Sequence, residues 1–151
     1  MGKIILIIVI VALVVIGIYY GRFFFTKKTI NEELPGNISG QNQTIASGSF
    51  VDIDFLHKGS GSAKILQDEE GYRLLRFENF KVTNGPDLYV YLTRNSKPTN
   101  LKSLGEFINL GRLKGTEGSQ NYDLKGAAED YKTIVIWCQQ FGALFSFATL
   151  E

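Results

Sequence analysis

An all-β fold is what this chain of 151 residues predicts: an antiparallel β-sandwich of about eight short strands, preceded by one N-terminal transmembrane helix. Three observations carry that expectation. Ile4 to Gly21 run without a charge between Lys3 and Arg22. Beyond residue 46 the apolar residues fall into short runs, some alternating and some unbroken, separated by clusters of Gly, Pro, Asn and Asp. No stretch there repeats at the 3.6-residue period of a long amphipathic helix.

The uncharged run, as a helix rising about 1.5 Å per residue, spans roughly 27 Å, close to a hydrocarbon core of about 30 Å. A cleaved signal peptide is the competing reading, but its apolar region is usually only ~7–15 residues and ends in small residues. Here the run is longer and closes on Tyr19-Tyr20-Gly21. Residues 1–25 are therefore expected to be an anchor, with membrane lipid contacting residues 4–21. Lys3 lies on one side and Arg22, Lys27 and Lys28 on the other, so the positive-inside rule favours a cytoplasmic domain. The sequons Asn37-Ile38-Ser39 and Asn42-Gln43-Thr44 favour the outside. Residues 26–46, polar and without periodicity, are expected to be a flexible linker that lifts the domain off the membrane.

The domain occupies residues 47–151. Val51, Ile53 and Phe55 alternate with Asp52 and Asp54, as in a half-buried strand. His57 to Ser62 reads as a loop, Ala63 to Gln67 as a strand, and Asp68 to Gly71 as a turn. Tyr72 to Phe80 predicts a long strand with Leu75 and Phe77 on one face and Arg76 and Glu78 on the other. Asn84-Gly85-Pro86-Asp87 is a turn, read as a hairpin rather than a cation site. In the following strand, Leu88, Val90 and Leu92 point inward and Tyr89 and Tyr91 to the second face. Arg94 to Gly105 is a longer loop. Phe107–Lys114 and Gln120–Leu124 are strands around a Gly-bracketed turn, and Lys125 to Tyr131 could form one helical turn. Thr133 to Phe141 holds the only Trp and the only Cys, and is apolar without alternation from Ile134 to Cys138. Such a run reads as a strand covered on both faces, with Ile134, Ile136 and Cys138 on one and Val135 and Trp137 on the other. Ala143–Leu150 closes the sheet.

Composition excludes several functions. Residues 47–151 carry 12 Lys and Arg against 13 Asp and Glu, a balance that argues against a nucleic-acid partner. One Cys allows no intramolecular disulfide, and one His with one Cys cannot build a blue-copper or structural zinc site. No metal site is expected, and no cofactor is readable.

Three stretches resemble the DM13 family: Leu75 to Phe80 running into Asn84 to Leu92; Leu110 to Gly115 with Gly118 to Tyr122; and Val135-Ile136-Trp137-Cys138 with Phe141. Gly48, Phe50 and His57 fit the same pattern, whereas Lys125 stands where a Pro is common. The resemblance covers nearly all of residues 47–151. It implies a β-sandwich, an extracytoplasmic domain, and electron-transfer or redox chemistry centred on Cys138. It also implies an accessory module with a redox or cell-surface protein partner rather than a stand-alone enzyme. Cys138 lies at the end of its strand, where Gln139 and Gln140 mark rising polarity, so it is expected to be both held and reachable. A redox thiol needs that access together with thiolate character. The alternative is a non-catalytic binding or adhesion module in which Cys138 is a small core hydrophobe.

Overall fold

The computed structural model describes residues 2–25, 27–39, 43–124 and 130–151, and for 22–25, 37 and 39 the backbone alone. Helix α1 (Gly2–Phe25) contains the candidate membrane span Gly2–Gly21, none of which is buried against the rest of the chain. The remaining elements are β1 (Thr29–Asn31), α2 (Gly36–Ser39), β2 (Gln43–Ser49), β3 (Gly59–Gln67), β4 (Arg73–Val82), β5 (Leu88–Thr93), α3 (Leu101–Leu104), β6 (Phe107–Arg112), β7 (Glu117–Asp123), β8 (Thr133–Cys138) and β9 (Ala143–Thr149). They form a β-sandwich. One sheet has the order β1-β7-β4-β3-β2 and the other β6-β5-β8-β9. Every pairing is antiparallel except that of β1 with β7.

The core between the sheets follows the alternation of the strands. Ala63, Ile65, Leu75 and Phe77 from the first sheet meet Leu88, Val90, Leu92, Ile134, Ile136 and Cys138 from the second. Val135 and Trp137 point the other way, into a second apolar cluster with Tyr91, Leu104 and Leu144. The single turn α3 provides Leu104 for that outer cover. Its Asn100 cap accepts from the Ser103 N–H, and the Ser103 hydroxyl answers from the other side.

Strict alternation fails at one place with consequences for packing. Phe77 and Phe80 are three apart, yet both are buried in the inter-sheet core. An unbroken strand would send them to opposite faces. The register of β4 against β7 shifts between Phe77 and Phe80, and Asn79 there has φ of 50°. The facing register of β3 shifts between Ser60 and Ser62, where Gly61 has φ of 95°. A Cβ on Gly61 would stand 2.5 Å from the Asn79 carbonyl oxygen. The two bulges nest, and they bring Phe80 against Phe50 and Phe77, with ring centroids 4.7 and 4.9 Å away.

Several expectations change here. Val51 to Phe55 is not a strand: Val51 makes one bridge to Phe147, and the chain then bends. The Asp54 carboxylate accepts from the N–H groups of Leu56 and His57, a local alternative that outcompetes strand pairing. Gly59 to Ser62, expected as loop, instead opens β3, because Gly61 lets the bulge form within a paired strand. The turn at 84–87 joins β4 to β5 across the two sheets, so it is a crossover and not a hairpin. The expected helical turn at 125–131 lies mostly outside the described residues.

The largest change concerns residues 26–46. Lys28 is already hydrogen-bonded to the domain, its N–H donating to Thr116 Oγ1 at 3.1 Å and its carbonyl accepting from Glu117 at 3.2 Å. β1 then pairs with β7, and Ile38 is fully buried against Leu66 and Leu74 on the outer face of the first sheet. Glu32 fastens the segment: its carboxylate accepts from Lys114 Nζ at 2.8 Å and the Asn121 N–H at 2.7 Å. Its carbonyl accepts from Arg76 at 2.6 Å. Burial alone would raise the Glu32 pKa, but Lys114, the Asn121 N–H and Arg76 together hold it below its ordinary value. Residues 27–39 are a docked edge of the sandwich and 43–46 belong to β2, so neither is a spacer, while 26 and 40–42 lie outside the described residues.

Two outcomes follow from this geometry. Gly61→Ala, strained at positive φ and meeting backbone, should cost well over about 1 kcal/mol in urea unfolding. Gly71→Ala, at φ of 86° but with open space around it, should cost less. Glu32→Gln should speed amide exchange at residues 29–32 without unfolding the core. In the native chain the Glu32 contribution is fully present above its unfolded pKa and is lost as pH falls through its lowered folded value. Protection of the β1 amides, taken against the intrinsic exchange rate at each pH, should therefore fall as acidification titrates Glu32.

Candidate functional site

Cys138 ends β8, and all six residues of that strand are buried. Its neighbours across the sheet are Leu88 on β5 and Ala143 on β9. Its own exposure is 0%, so the access expected at a strand end is absent, although Gln139, Gln140 and Phe141 directly after it are exposed. The change from dry to wet occurs within one residue because the second sheet ends there and the turn at 139–142 projects beyond it. The Gln139 N–H donates to the Asp87 carbonyl at 3.0 Å, and its side chain donates to Tyr91 Oη at 2.7 Å.

Three pieces of chain pack together at this end of the core, where Cys138 is buried. Phe145 is the bulged residue of β9, since Ile136 pairs with Ser146 and Trp137 with Leu144. The bulge turns its ring inward, into the cluster that includes Cys138. Gly85 lies against the same ring: a Cβ there would come within 2.9 Å of Phe145 and 2.7 Å of Leu88. Only glycine permits that close approach of backbone to core. His57 forms the third piece, its ring 4.5 Å from that of Phe145 and tilted 62° to it.

His57 is held by its own loop. Its Nδ1 lies 2.8 Å from Asp54 Oδ2. A carboxylate only accepts, so the proton in this bond sits on Nδ1. The hydrogen bond from the ring, followed by those from the His57 and Leu56 N–H groups, lowers the Asp54 pKa to about 2. The dyad thus stays intact across ordinary pH. Sequence reading singled out His57 but not its pairing with Asp54. The signal was there in the three-residue spacing of an Asp that can cap its own turn.

The aromatic residues divide as the strand periods require. Trp137 is 2% exposed on the outer face of the second sheet, with Tyr91, whose ring stacks on Phe107 at 4.6 Å. Cys138 and Trp137 are adjacent in sequence and lie on opposite sides of one sheet. Asp87, weighed as a cation ligand, has its Oδ1 2.8 Å from the Arg112 guanidinium, an ion pair without hydrogen-bond geometry at that buried oxygen. Among the described residues no three His, Cys, Asp or Glu side chains converge as a metal-binding group.

What this arrangement can do chemically is limited by the burial of the sulfur. Exchange with a disulfide requires direct contact between the attacking and attacked sulfurs. The closed form offers no such contact at Cys138. It does offer a polarisable sulfur in a dry cluster, one ring away from a solvent-edge imidazole.

Neither a curated protein nor a solved structure matches the chain. The family model described as Electron transfer DM13 matches residues 49–150, two thirds of the sequence, from the strand end before Phe50 to the last residues of β9 and beyond. The match takes in the crossover at 84–87, the nested bulges, the Asp54–His57 loop and the Cys138 strand together, and the chain belongs to the DM13 family.

Proposed function

We propose that this protein is a membrane-anchored electron-transfer module whose sandwich lies outside the cytoplasm and whose redox group is Cys138. The family match over residues 49–150 carries the electron-transfer role. The anchor rests on α1, whose Gly2–Gly21 span has a mean hydropathy of 3.0 and is not buried against the rest of the chain. The extracytoplasmic side is taken from the family resemblance, against the charge count around Arg22, Lys27 and Lys28. The protein serves a redox or cell-surface partner as an accessory domain.

Burial decides how Cys138 would work in this reading. A sulfur at 0% exposure can attack a partner's disulfide, forming a mixed disulfide and releasing the partner's thiolate, only when the end of the sandwich opens. The element that would move is the turn 139–142, tied to the neighbouring crossover by the Gln139 hydrogen bond. A second reading has an observation of its own: the same complete burial suits a sulfur that is simply core, in a non-catalytic binding or adhesion module.

Alkylation separates the two. The redox reading expects Cys138 to label fully in native buffer, slowly and at a rate set by opening of the 139–142 turn. It also expects Cys138→Ser to abolish electron or thiol transfer. If labelling occurs only in denaturant, and Cys138→Ser costs roughly 1–3 kcal/mol for a buried hydroxyl without altering function, Cys138 is packing and the redox assignment fails.

The side of the membrane has a separate readout. A membrane-impermeant amine reagent applied to intact cells should modify the exposed Lys97 and Lys102. Modification that requires lysis would return the domain to the cytoplasm.

A further inference from the structure

The end of the sandwich at which Cys138 is buried is also the end from which α1 departs. β1 runs parallel to β7, so Thr29 starts where Glu117 starts, and the Val82 N–H at the end of β4 donates to Thr116 at the same level. Thr83 and Lys58 exchange backbone contacts there, which puts the 52–58 loop and the 83–87 crossover side by side. Leu88 pairs with Cys138, which adds the 139–142 turn to the same end.

Three large apolar side chains project from this end into solvent: Phe55 at 82% exposure, Leu56 at 58% and Phe141 at 53%. The opposite end is different in character. Its β3–β4 hairpin is Asp68-Glu69-Glu70-Gly71, and the large apolar residues exposed toward it are Leu101, with Ile45 and Phe107 less so. The Asp54 turn, closed by the His57 ring and two N–H groups, holds Phe55 and Leu56 at its tip, so their exposure is built into the loop.

The tether identifies what covers them. Only residues 26–28 separate the last residue of α1 from β1, and Lys28 is already bonded to Thr116 and Glu117. Three residues past Phe25 span at most about 11 Å at 3.8 Å per Cα step. The four helical residues after Gly21 add about 6 Å. This end of the domain therefore stays within about 17 Å of the hydrocarbon edge, and the headgroup layer itself occupies roughly 5–8 Å of that. Most charges here are paired, Lys58 with Asp52, Lys27 and Lys81 with Glu117, Arg112 with Asp87, and Asp54 with His57, while Lys28 is exposed beside them. A near-neutral rim around apolar tips suits a zwitterionic lipid interface, where aromatic side chains are at home.

We infer that Phe55, Leu56 and Phe141 dip into the bilayer interface, so that the sandwich stands on the membrane with its Cys138 end against the lipid. This rests on α1 being an anchor. A fluorescent amino acid sensitive to its surroundings, placed at the exposed Gln140 of the full chain and separately at Glu70, tests it with Cys138 untouched. In phosphatidylcholine vesicles, nitroxide lipids labelled near the headgroup should quench the probe at 140 at least twofold and leave that at 70 unchanged. Added salt should not alter this, and Phe55→Ser with Phe141→Ser, both at exposed positions, should abolish the quenching. If the two probes behave alike while the chain resists carbonate extraction, the docking is overturned and the anchor stands. Extraction by carbonate removes the anchor and the docking with it. A probe at 140 shielded from aqueous iodide yet untouched by lipid nitroxides means a contact between copies of the chain, which also overturns lipid docking.

Discussion

Burial of β8 on both faces is the constraint around which the sandwich is arranged. A strand with no wet side requires a sheet opposite one face and a separate cover over the other. The first requirement is met by Phe77, Phe80 and their neighbours across the inter-sheet core. The second is met by Leu104 from the one-turn α3 and by Ile53 from the bend after β2, both packed on Trp137, Tyr91 and Leu144. The backbone groups of β8 are satisfied on both edges by β5 and β9, so its burial leaves the ladder paired. Cys138 inherits its environment from this arrangement, being the last inward position before the sheet ends.

The bulges adjust what simple alternation would get wrong. Without the shift at Asn79 the ring of Phe80 would face solvent, and the core would lose the contact with Phe50. Without the extra residue in β9, Phe145 would not turn inward over the end of the core. Each bulge is held by a close backbone approach that only glycine allows, Gly61 against Asn79 and Gly85 against Phe145. Those glycines are therefore part of the packing, since a side chain at either position has no room.

The docked segment 27–39, close after the apolar helix α1, is bound to the sandwich although its composition is that of a linker. Lys27, Glu32 and Ile38 each attach by different chemistry: an ion pair to Glu117, a carboxylate shared between Lys114 and the Asn121 N–H, and an apolar contact with Leu66 and Leu74.

Sequence alone determined the membrane-length helix, the all-β class, the faces of β4, β5 and β8, and the DM13 resemblance. These depend on local period, length and motif, which a chain carries independently of its fold. Cys138 and His57 were legible as residues of interest for the same reason. Only the tertiary structure decided that 29–39 is part of the domain, since its partners Glu117, Asn121 and Leu74 are distant in sequence and its own composition is that of a loop. It likewise decided that 51–55 bends, because one Asp54 carboxylate accepting from two N–H groups outweighs an alternating pattern. The exposure of Cys138 belonged to the same class. A strand end is wet or dry according to what packs around it, and the residues packed at this end of the core come from β9, the 83–87 crossover and the His57 loop, none of which the chain neighbours of Cys138 could announce.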